Sequence, residues 1–269
     1  PSEAVNLRVS YAGGYRAPQA FDEDMHIAIV GGKRVRIRLA DDLREERSHS
    51  VSLSADLYHT FGKVQTNLLV EGFYTILDDV FALRDMDDAA DGGKVKERYN
   101  GSGATVRGFN VEGRAAFTRW FELQAGVTLQ QSRYKEPEFW SEDAEVPPVR
   151  RMFRTPDAYG YFTASFKPVR NFTADLSGTC TGSMLVQHMA GSGVAQDVAV
   201  STPSFFDMNI RLSYDVRIYK EITMQLYGGV QNLFNAYQKD FDKGVDRDSG
   251  YIYGPSLPRS WFVGAKFSF

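Results

Sequence analysis

The last eleven residues of the chain, Arg259–Phe269, alternate between large apolar side chains and mostly small or polar ones. A repeat of two residues is the period of a β-strand and does not fit a helix. An alternating segment of about ten residues with one apolar face is what a transmembrane barrel strand requires, although a soluble β-sandwich can also end in this way. The pattern therefore constrains the fold only if it recurs along the chain.

The same alternation recurs in nine earlier segments, so the sequence predicts ten strands in all. These segments are Ala4–Ala12, Ser48–Thr60, Val64–Phe81, Tyr99–Phe117, Phe121–Arg133, Phe153–Phe166, Arg170–Gly182, Pro203–Arg217 and Glu221–Phe234. The connections between them alternate between four short ones and five long ones, of which Gly13–Arg47 is the first. The short ones are Phe61–Lys63, Thr118–Trp120, Lys167–Arg170 and Ile218–Lys220. A meander with short turns at one end and long loops at the other is typical of an antiparallel up-and-down barrel in the outer membrane.

Composition is compatible with such a barrel. The mean hydropathy is −0.34, which a barrel with a polar lumen reaches because only alternate residues meet lipid. Aromatic residues make up 13% of the chain, and many lie near the predicted strand ends, as in aromatic girdles. Trp120, Phe121 and Phe166 are predicted at the short-turn end, and Phe205 and Phe234 at the long-loop end. The net charge of −3 gives no indication of nucleic-acid binding, and the single cysteine, Cys180, excludes an internal disulfide. The residues predicted to face lipid are Val51, Leu53, Phe121, Leu123, Val127, Met208, Ile210, Leu212, Val263 and Phe267.

Four short segments carry a resemblance to a known family. The first consists of Gly14, Tyr15, Arg16, Ala17 and Pro18, and it is similar to that family's FRAP box. The second, Asp41–Ser48, is similar to the NPDLKPE segment but lacks its Asn-Pro. The third, Gly229–Asn235, contains Asn232, Leu233 and Phe234 in a pattern like G-V-x-N-L-F-N. The fourth, Tyr253–Phe269, is similar to the family's Gly-Pro-x-x-Pro-Arg ending. In this order, the four segments resemble TonB-dependent outer-membrane receptors, most closely those of the Bacteroidetes.

This resemblance implies that residues 1–269 are the C-terminal portion of a barrel of about 22 strands that closes around a plug. The plug domain would precede these residues in a longer chain. The implied function is active import of a large, scarce solute across the outer membrane, energised through TonB. Ferric siderophores or haem are the first candidates, and cobalamin or glycans are the alternatives. No enzyme activity and no cofactor are expected. The implied partners are membrane lipid, lipopolysaccharide, the plug, the remaining strands, the TonB complex and a capping surface lipoprotein.

Candidate ligand-binding residues lie in two predicted loops. In the first loop, His26–Val30 and Arg34–Leu39 flank a Gly-Gly-Lys turn and predict a hairpin with Arg34, Arg36 and Arg38 on one face. These arginines would meet an anionic ligand or, alternatively, only solvent and lipopolysaccharide phosphates.

Single side chains in the loops are also candidates. In haem receptors of the resembled family, a histidine between the first two motifs is an iron ligand. His26, with Met25 beside it, is therefore a candidate metal ligand, and an ordinary loop histidine is the alternative. His188 and Met189 are further soft candidates, with packing within the loop as the alternative. Asp240–Asp248 departs from a calcium loop and is expected to be a solvated loop.

Two other classes of protein remain open from the pattern alone. A free-standing ten-stranded outer-membrane enzyme, such as a protease, would show the same alternation of short and long connections. It would require the first and last strands to pair and would place Asp–His pairs at the outer rim, for example His26 with Asp22 or Asp24. A soluble β-protein is the third possibility.

Overall fold

The computed structural model describes residues 4–19, 35–86, 94–141, 143–219 and 221–268. Ten long strands form the wall: β1 Val5–Arg16, β3 Glu46–Phe61, β4 Val64–Asp78, β7 Ala104–Thr118, β8 Phe121–Glu138, β10 Ala158–Val169, β11 Phe172–Thr181, β14 Phe205–Tyr219, β15 Ile222–Gln231 and β16 Ser260–Ser268. Six shorter strands belong to the connections: β2 Val35–Leu39, β5 Phe81–Met86, β6 Lys94–Asn100, β9 Val149–Arg151, β12 Leu185–His188 and β13 Val198–Ser201. No helix within these ranges is long and apolar enough to cross a membrane.

The ten long strands pair in sequence order, each antiparallel to its neighbour, from β1 at one edge to β16 at the other. Each predicted strand is therefore confirmed, as are the four short turns. Over the described residues, β1 pairs only with β3 and β16 pairs only with β15. The ten-stranded sheet is thus an open part of a wall and not a closed barrel.

The strand register places the predicted lipid-facing residues on one apolar face. One row runs straight across five strands through Leu7, Ala55, Val70, Val111 and Val127. Another row runs across the other half of the sheet through Leu123, Ala164, Leu176, Ile210 and Val230. Side chains on this face are open to the surroundings, as Val263 shows with 89% exposure. Such a continuous apolar surface matches the lipid-facing band of an outer-membrane barrel.

Several predicted boundaries were wrong, because backbone geometry interrupts the pattern. β4 ends at Asp78 because Asp79 adopts a left-handed backbone with φ 55°, so the predicted strand does not run on to Phe81. β7 begins only at Ala104, after Gly103 with φ 83°. β10 begins at Ala158 and not at Phe153, whereas β8 continues to Glu138.

The long connections carry strands of their own above the wall. β5 and β6 pair antiparallel, and β2 adds to β6 in parallel to give a three-stranded sheet. β2 is one arm of the predicted hairpin, and the other arm, His26–Val30, lies outside the described residues. β12 and β13 form a separate hairpin.

The aromatic girdle prediction holds at the short-turn end and needs correction at the other. Trp120 contacts the rings of Phe121 and Phe166 with centroids 6.1 and 5.5 Å apart. At the loop end, Phe234 is 57% exposed, as a girdle residue should be. Phe205, however, is only 8% exposed, because its ring packs against Tyr253 in the core of the loops.

Candidate ligand-facing surface

The second face of the wall is polar, and its side chains are linked into a hydrogen-bonded network. Asn110 is central to one part: it donates to Glu71 Oε1 at 3.1 Å and accepts from Thr128 Oγ1 at 2.8 Å. Glu112 is central to a second part, where Gln124 donates at 2.8 Å and the Tyr161 hydroxyl donates at 2.5 Å. In a barrel this face lines the lumen, so the wall presents donors and acceptors to whatever occupies it.

The polar network extends to both ends of the sheet, with an amide bridge on the later strands and an ion pair at the first edge. Gln225 bridges two charged side chains of β14: its Oε1 accepts from Arg211 at 3.1 Å, and its Nε2 donates to Asp215 Oδ1 at 2.9 Å. The Arg211 guanidinium also lies over the Tyr227 ring at 4.6 Å from the centroid. At the first edge, Arg8 pairs with Asp56 at 3.2 Å. Charges on this face are therefore largely compensated by near neighbours.

Above the wall, the β12–β13 hairpin and the connection at 232–259 pack into one layer, here called the loop layer. Its apolar core is Val186, Phe205, Tyr251 and Tyr253. His188 lies at its edge with 6% exposure; its Nε2 is 3.0 Å from Asp242 Oδ1, and its ring stacks on Tyr251 at 3.7 Å. These contacts give His188 a structural role that joins two connections.

Two aspartates complete the junction between the two connections. Asp248 accepts a hydrogen bond from the Met189 backbone N–H at 2.8 Å and another from the Gly250 N–H at 2.8 Å. Asp242, besides contacting His188, accepts from the Asp248 N–H at 3.0 Å. The acidic run predicted to be a solvated loop is therefore partly a hydrogen-bonding scaffold. Within the described ranges, no group of three His, Cys, Asp or Glu residues is arranged to hold a metal ion.

Asp240 is held by two tyrosines of the same layer. Tyr251 and Tyr253 donate their hydroxyls to its carboxylate at 2.8 and 2.6 Å. Burial acts to raise the pKa of Asp240, but the hydrogen bonds from the two hydroxyls, the backbone and Gln238 together outweigh it, and the pKa is lowered. Burial and the hydrogen bonds to Asp240 raise the pKa of both tyrosines, so they remain donors at neutral pH.

The small sheet above the first strands carries the part of the predicted cationic face that the structure describes. Arg38 lies 3.8 Å from Asp41 and 4.0 Å from Glu97. Glu97 is 6% exposed and also accepts a hydrogen bond from Arg84 Nε at 2.8 Å. Arg38 is therefore partly neutralised by carboxylates, and Arg84 lies over the Tyr99 ring at 4.9 Å.

The other predicted site residues fall into two groups. Met25, His26 and Arg34 lie outside the described residues, and Arg36 is described only as part of the backbone of β2. His188 and Met189 come together with Asp242 and Asp248, as given above. The structure therefore does not bring the candidate ligands of the two loops to one described place. His49 and His59 lie in β3 of the wall.

The first two family-like segments meet at the top of β1. Gly14, Tyr15 and Arg16 are still within the strand, so the box does not leave the strand at Gly14 as predicted. Arg16 is paired in register with Glu46 and lies 3.5 Å from its carboxylate. Glu46 in turn accepts from the Phe81 backbone N–H at 2.7 Å. The Arg16–Glu46 pair therefore links the first family-like segment to the second.

The third segment ends in a turn in which two asparagines adopt left-handed backbone conformations. Asn232 and Asn235 both have positive φ, at 48° and 53°, a conformation that asparagine tolerates better than most residues. Asn232 donates to the backbone oxygens of Ala236 and Leu257 and accepts from the Ala236 N–H. Asn235 accepts from the Arg259 N–H at 2.9 Å. The turn therefore ties the end of β15 to the start of β16.

Comparison with known families agrees with these motifs and with the open, in-order sheet. A family model described as "TonB dependent receptor-like, beta-barrel" matches residues 1–233. The chain belongs to this family. TonB-dependent receptor barrels lie in the outer membrane of Gram-negative bacteria, which accounts for the continuous apolar outer face. A comparison with curated protein sequences finds no significant match.

Solved structures show the same fold. The ferric-catecholate import receptor Fiu from E. coli K12, in its closed form, is 16% identical with a TM-score of 0.63, over 98% of this chain and 33% of that one. The FrpB iron transporter from Neisseria meningitidis is 15% identical with a TM-score of 0.62, over 98% of this chain and 37% of that one. The copper transporter OprC is 12% identical with a TM-score of 0.64, over 100% of this chain and 38% of that one. At these identities the similarity establishes the fold alone, and this receptor chain spans little more than a third of those structures.

Proposed function

We propose that residues 1–269 form the C-terminal part of the barrel of an outer-membrane importer that takes up a large, scarce solute and is energised through TonB. Ferric siderophores or haem are the proposed solute class. The observation that carries the proposal is the open ten-stranded sheet with one apolar face and one hydrogen-bonded polar face. Family membership supports this interpretation.

The open edges favour a barrel much wider than ten strands. Each edge strand presents a row of unpaired backbone N–H and C=O groups, which cannot face lipid without a large cost in free energy. We therefore propose that further strands pair with the free edges of β1 and β16 in the full-length protein. A barrel of about 22 strands encloses a lumen wide enough for a plug and for solutes too large for porins. The proposed partners are accordingly the preceding plug, the remaining strands and the TonB complex.

The same observation counts against the ten-stranded enzyme. That alternative requires β1 to pair with β16, and they do not pair. The His–Asp pair that the described residues place at the rim, His188 with Asp242, is buried in the loop layer with side-chain exposures of 8% and 4%. We therefore propose a transporter without catalytic activity, in contact with membrane lipid and lipopolysaccharide. We also propose a surface lipoprotein that caps the barrel as a partner.

Uptake by the full-length protein tests the proposal. The receptor would be expressed in a Gram-negative strain that lacks its own ferric-siderophore and haem receptors, with iron-59 siderophores of the catecholate and hydroxamate classes and with haem as solutes. We expect accumulation of at least one of these solutes, and its loss when the host's TonB is deleted. Surface binding without accumulation in the TonB-containing strain would contradict active import. Accumulation of cobalamin or of a glycan alone would replace the solute class but keep the import mechanism.

The haem version of the proposal has a sharper test in His26. His26→Ala in the full-length receptor should weaken haem binding at least tenfold if the imidazole is an iron ligand, and assembly should be unchanged because a loop side chain contributes little to the fold. His49→Ala is the matched control, since His49 lies in β3 and contacts Tyr11 at 2.8 Å. Equal haem affinity of the His26 variant and the parent would remove the ligand role and leave a siderophore as the proposed solute.

A further inference from the structure

A recess of about 240 Å³ lies where the polar inner face of the wall meets the loop layer. It is lined by Thr179 and Thr181 of β11, Phe205 and Asp207 of β14, and Met184, Gly254 and Pro255 of the connections. Thr179 and Asp207 are directly paired across the two strands, so their side chains lie on the same face. The recess therefore has a polar side made by the wall and an apolar side made by Met184, Phe205 and Pro255.

Gly254 allows the loop to approach the wall at this place. Its backbone has φ 84°, and an added Cβ would lie 2.7 Å from the Phe205 ring. Any other residue would be strained and would push the loop away from Phe205. The shape of the recess thus depends on a defined contact between the loop layer and β14.

Asp207 is the one ionisable side chain among the residues that line this recess. Its Oδ1 is shielded from solvent, yet no donor among the described residues reaches it. Shielded carboxylate oxygens without a hydrogen bond are rare because they cost free energy. Arg211, the next cation on the same face of β14, is four residues away, or roughly 13 Å at the rise of a strand. That guanidinium is held instead by Gln225 and Tyr227.

We propose that this recess is a binding site for a cationic group on a short apolar stem, that is, an alkyl-ammonium or alkyl-guanidinium. The carboxylate of Asp207 pairs with the cation, and the Thr179 and Thr181 hydroxyls accept its remaining hydrogen bonds. The methylene stem packs against Met184 and Phe205. Such a group comes either from a solute in the lumen or from a Lys or Arg elsewhere in the full-length protein. The first source rests on the proposed import function, and the second does not.

Ligand-observed NMR titration of the full-length receptor in detergent tests the site with n-butylammonium, and with n-butanol as its neutral counterpart. We expect saturable binding of n-butylammonium and none of n-butanol. Asp207→Asn preserves the size of the side chain and should weaken binding at least tenfold. Asp175→Asn is the control, since Asp175 lies on the same face of β11 and already accepts from Ser165 at 2.6 Å; it should change binding less than twofold.

An experimental structure of the full-length protein separates the two sources. If n-butylammonium does not bind and a Lys or Arg of the rest of the chain sits on the Asp207 carboxylate, the site is filled internally and the proposal holds in that form. Butylammonium affinity that is unchanged by Asp207→Asn would overturn it. So would the absence of both butylammonium binding and an internal cation. None of these results depends on whether the protein imports a solute.

Discussion

The buried side chain of Asn232 should contribute more to the stability of the receptor than the exposed side chains of the same turn. It is 2% exposed, and its side chain makes three hydrogen bonds, at 2.9 Å to Ala236 O, 2.8 Å to Leu257 O and 2.8 Å from the Ala236 N–H. Each such bond contributes about 1 kcal/mol net. A left-handed backbone costs a residue such as alanine about 1 kcal/mol more. We therefore expect Asn232→Ala to lower the free energy of unfolding by about 4 kcal/mol.

Two further substitutions at Asn232 separate the causes. Asn232→Gly loses the same hydrogen bonds but tolerates the positive φ of 48°, so its loss should be about 1 kcal/mol smaller than that of the alanine variant. Asn232→Asp keeps the acceptor for the Ala236 N–H but places an oxygen against two carbonyl oxygens. We expect it to be at least as destabilising as alanine at neutral pH, and less so as the carboxyl is protonated at lower pH.

Urea unfolding of the full-length receptor in detergent micelles, followed by tryptophan fluorescence, measures these differences. Asn67→Ala is the control, because the Asn67 side chain makes only a long 3.5 Å contact to Leu57 O; we expect a change of about 0.5 kcal/mol or less. A loss below about 1 kcal/mol for Asn232→Ala would refute the account of the turn. So would a glycine variant less stable than the alanine variant, since the backbone argument would then have the wrong sign.

Three other outcomes follow from the wall and the loop layer. Ile210→Arg places a charge on the apolar face at a cost of about 2–4 kcal/mol and should reduce the heat-modifiable, assembled form far more than Arg211→Ala; equal assembly would reject the facing. His188→Ala should speed hydrogen exchange in the connections at 183–204 and 232–259 while the wall strands keep their protection; uniform protection throughout would remove its structural role. Because the pKa of Asp240 is lowered in the folded state, its contribution is present above the usual carboxyl pKa and is lost as pH falls through the lowered value; exchange in the loop layer should rise over that range, and Tyr253→Phe should shrink the pH dependence.

The wall was predictable because its determinants are local and periodic. Lipid on one side and a polar lumen on the other impose a repeat of two on each strand, and a one-residue slip would reverse both faces. All ten segments, the four short turns and the faces of residues such as Ile210 and Val263 followed from that pattern. The unpaired first and last strands were also expected, because the motif order implied a larger barrel.

The strand ends and the loop elements were not predictable in this way. The apolar pattern predicted a strand that runs on past Asp79, but Asp79 adopts a positive φ and β4 ends at Asp78. β2 pairs in parallel with β6, across a gap of about sixty residues, and no alternation indicates that partner. Phe205 sits at a strand end like a girdle residue, but the loop layer buries it.

The candidate site shows the same division. From the sequence, His188 was a soft ligand because only its residue type and its neighbour Met189 could be judged. Its partner Asp242 is 54 residues away, and the contact depends on how two connections fold over the wall. For Asp207, the alternation of β14 gives the inward face, between Phe206 and Met208, which was a usable signal. Its lack of a hydrogen-bonding partner at Oδ1 depends on every neighbouring strand and loop at once.

The sequence by itself determined the strands, their order and the faces they present, because these depend on a repeat that each strand carries independently of the others. Tertiary structure alone decided which loop residues are structural and which buried polar atoms lack a hydrogen-bonding partner. Those outcomes come from contacts between segments far apart in the chain, whose geometry is set by the packing of the loop layer on the wall and not by any local pattern.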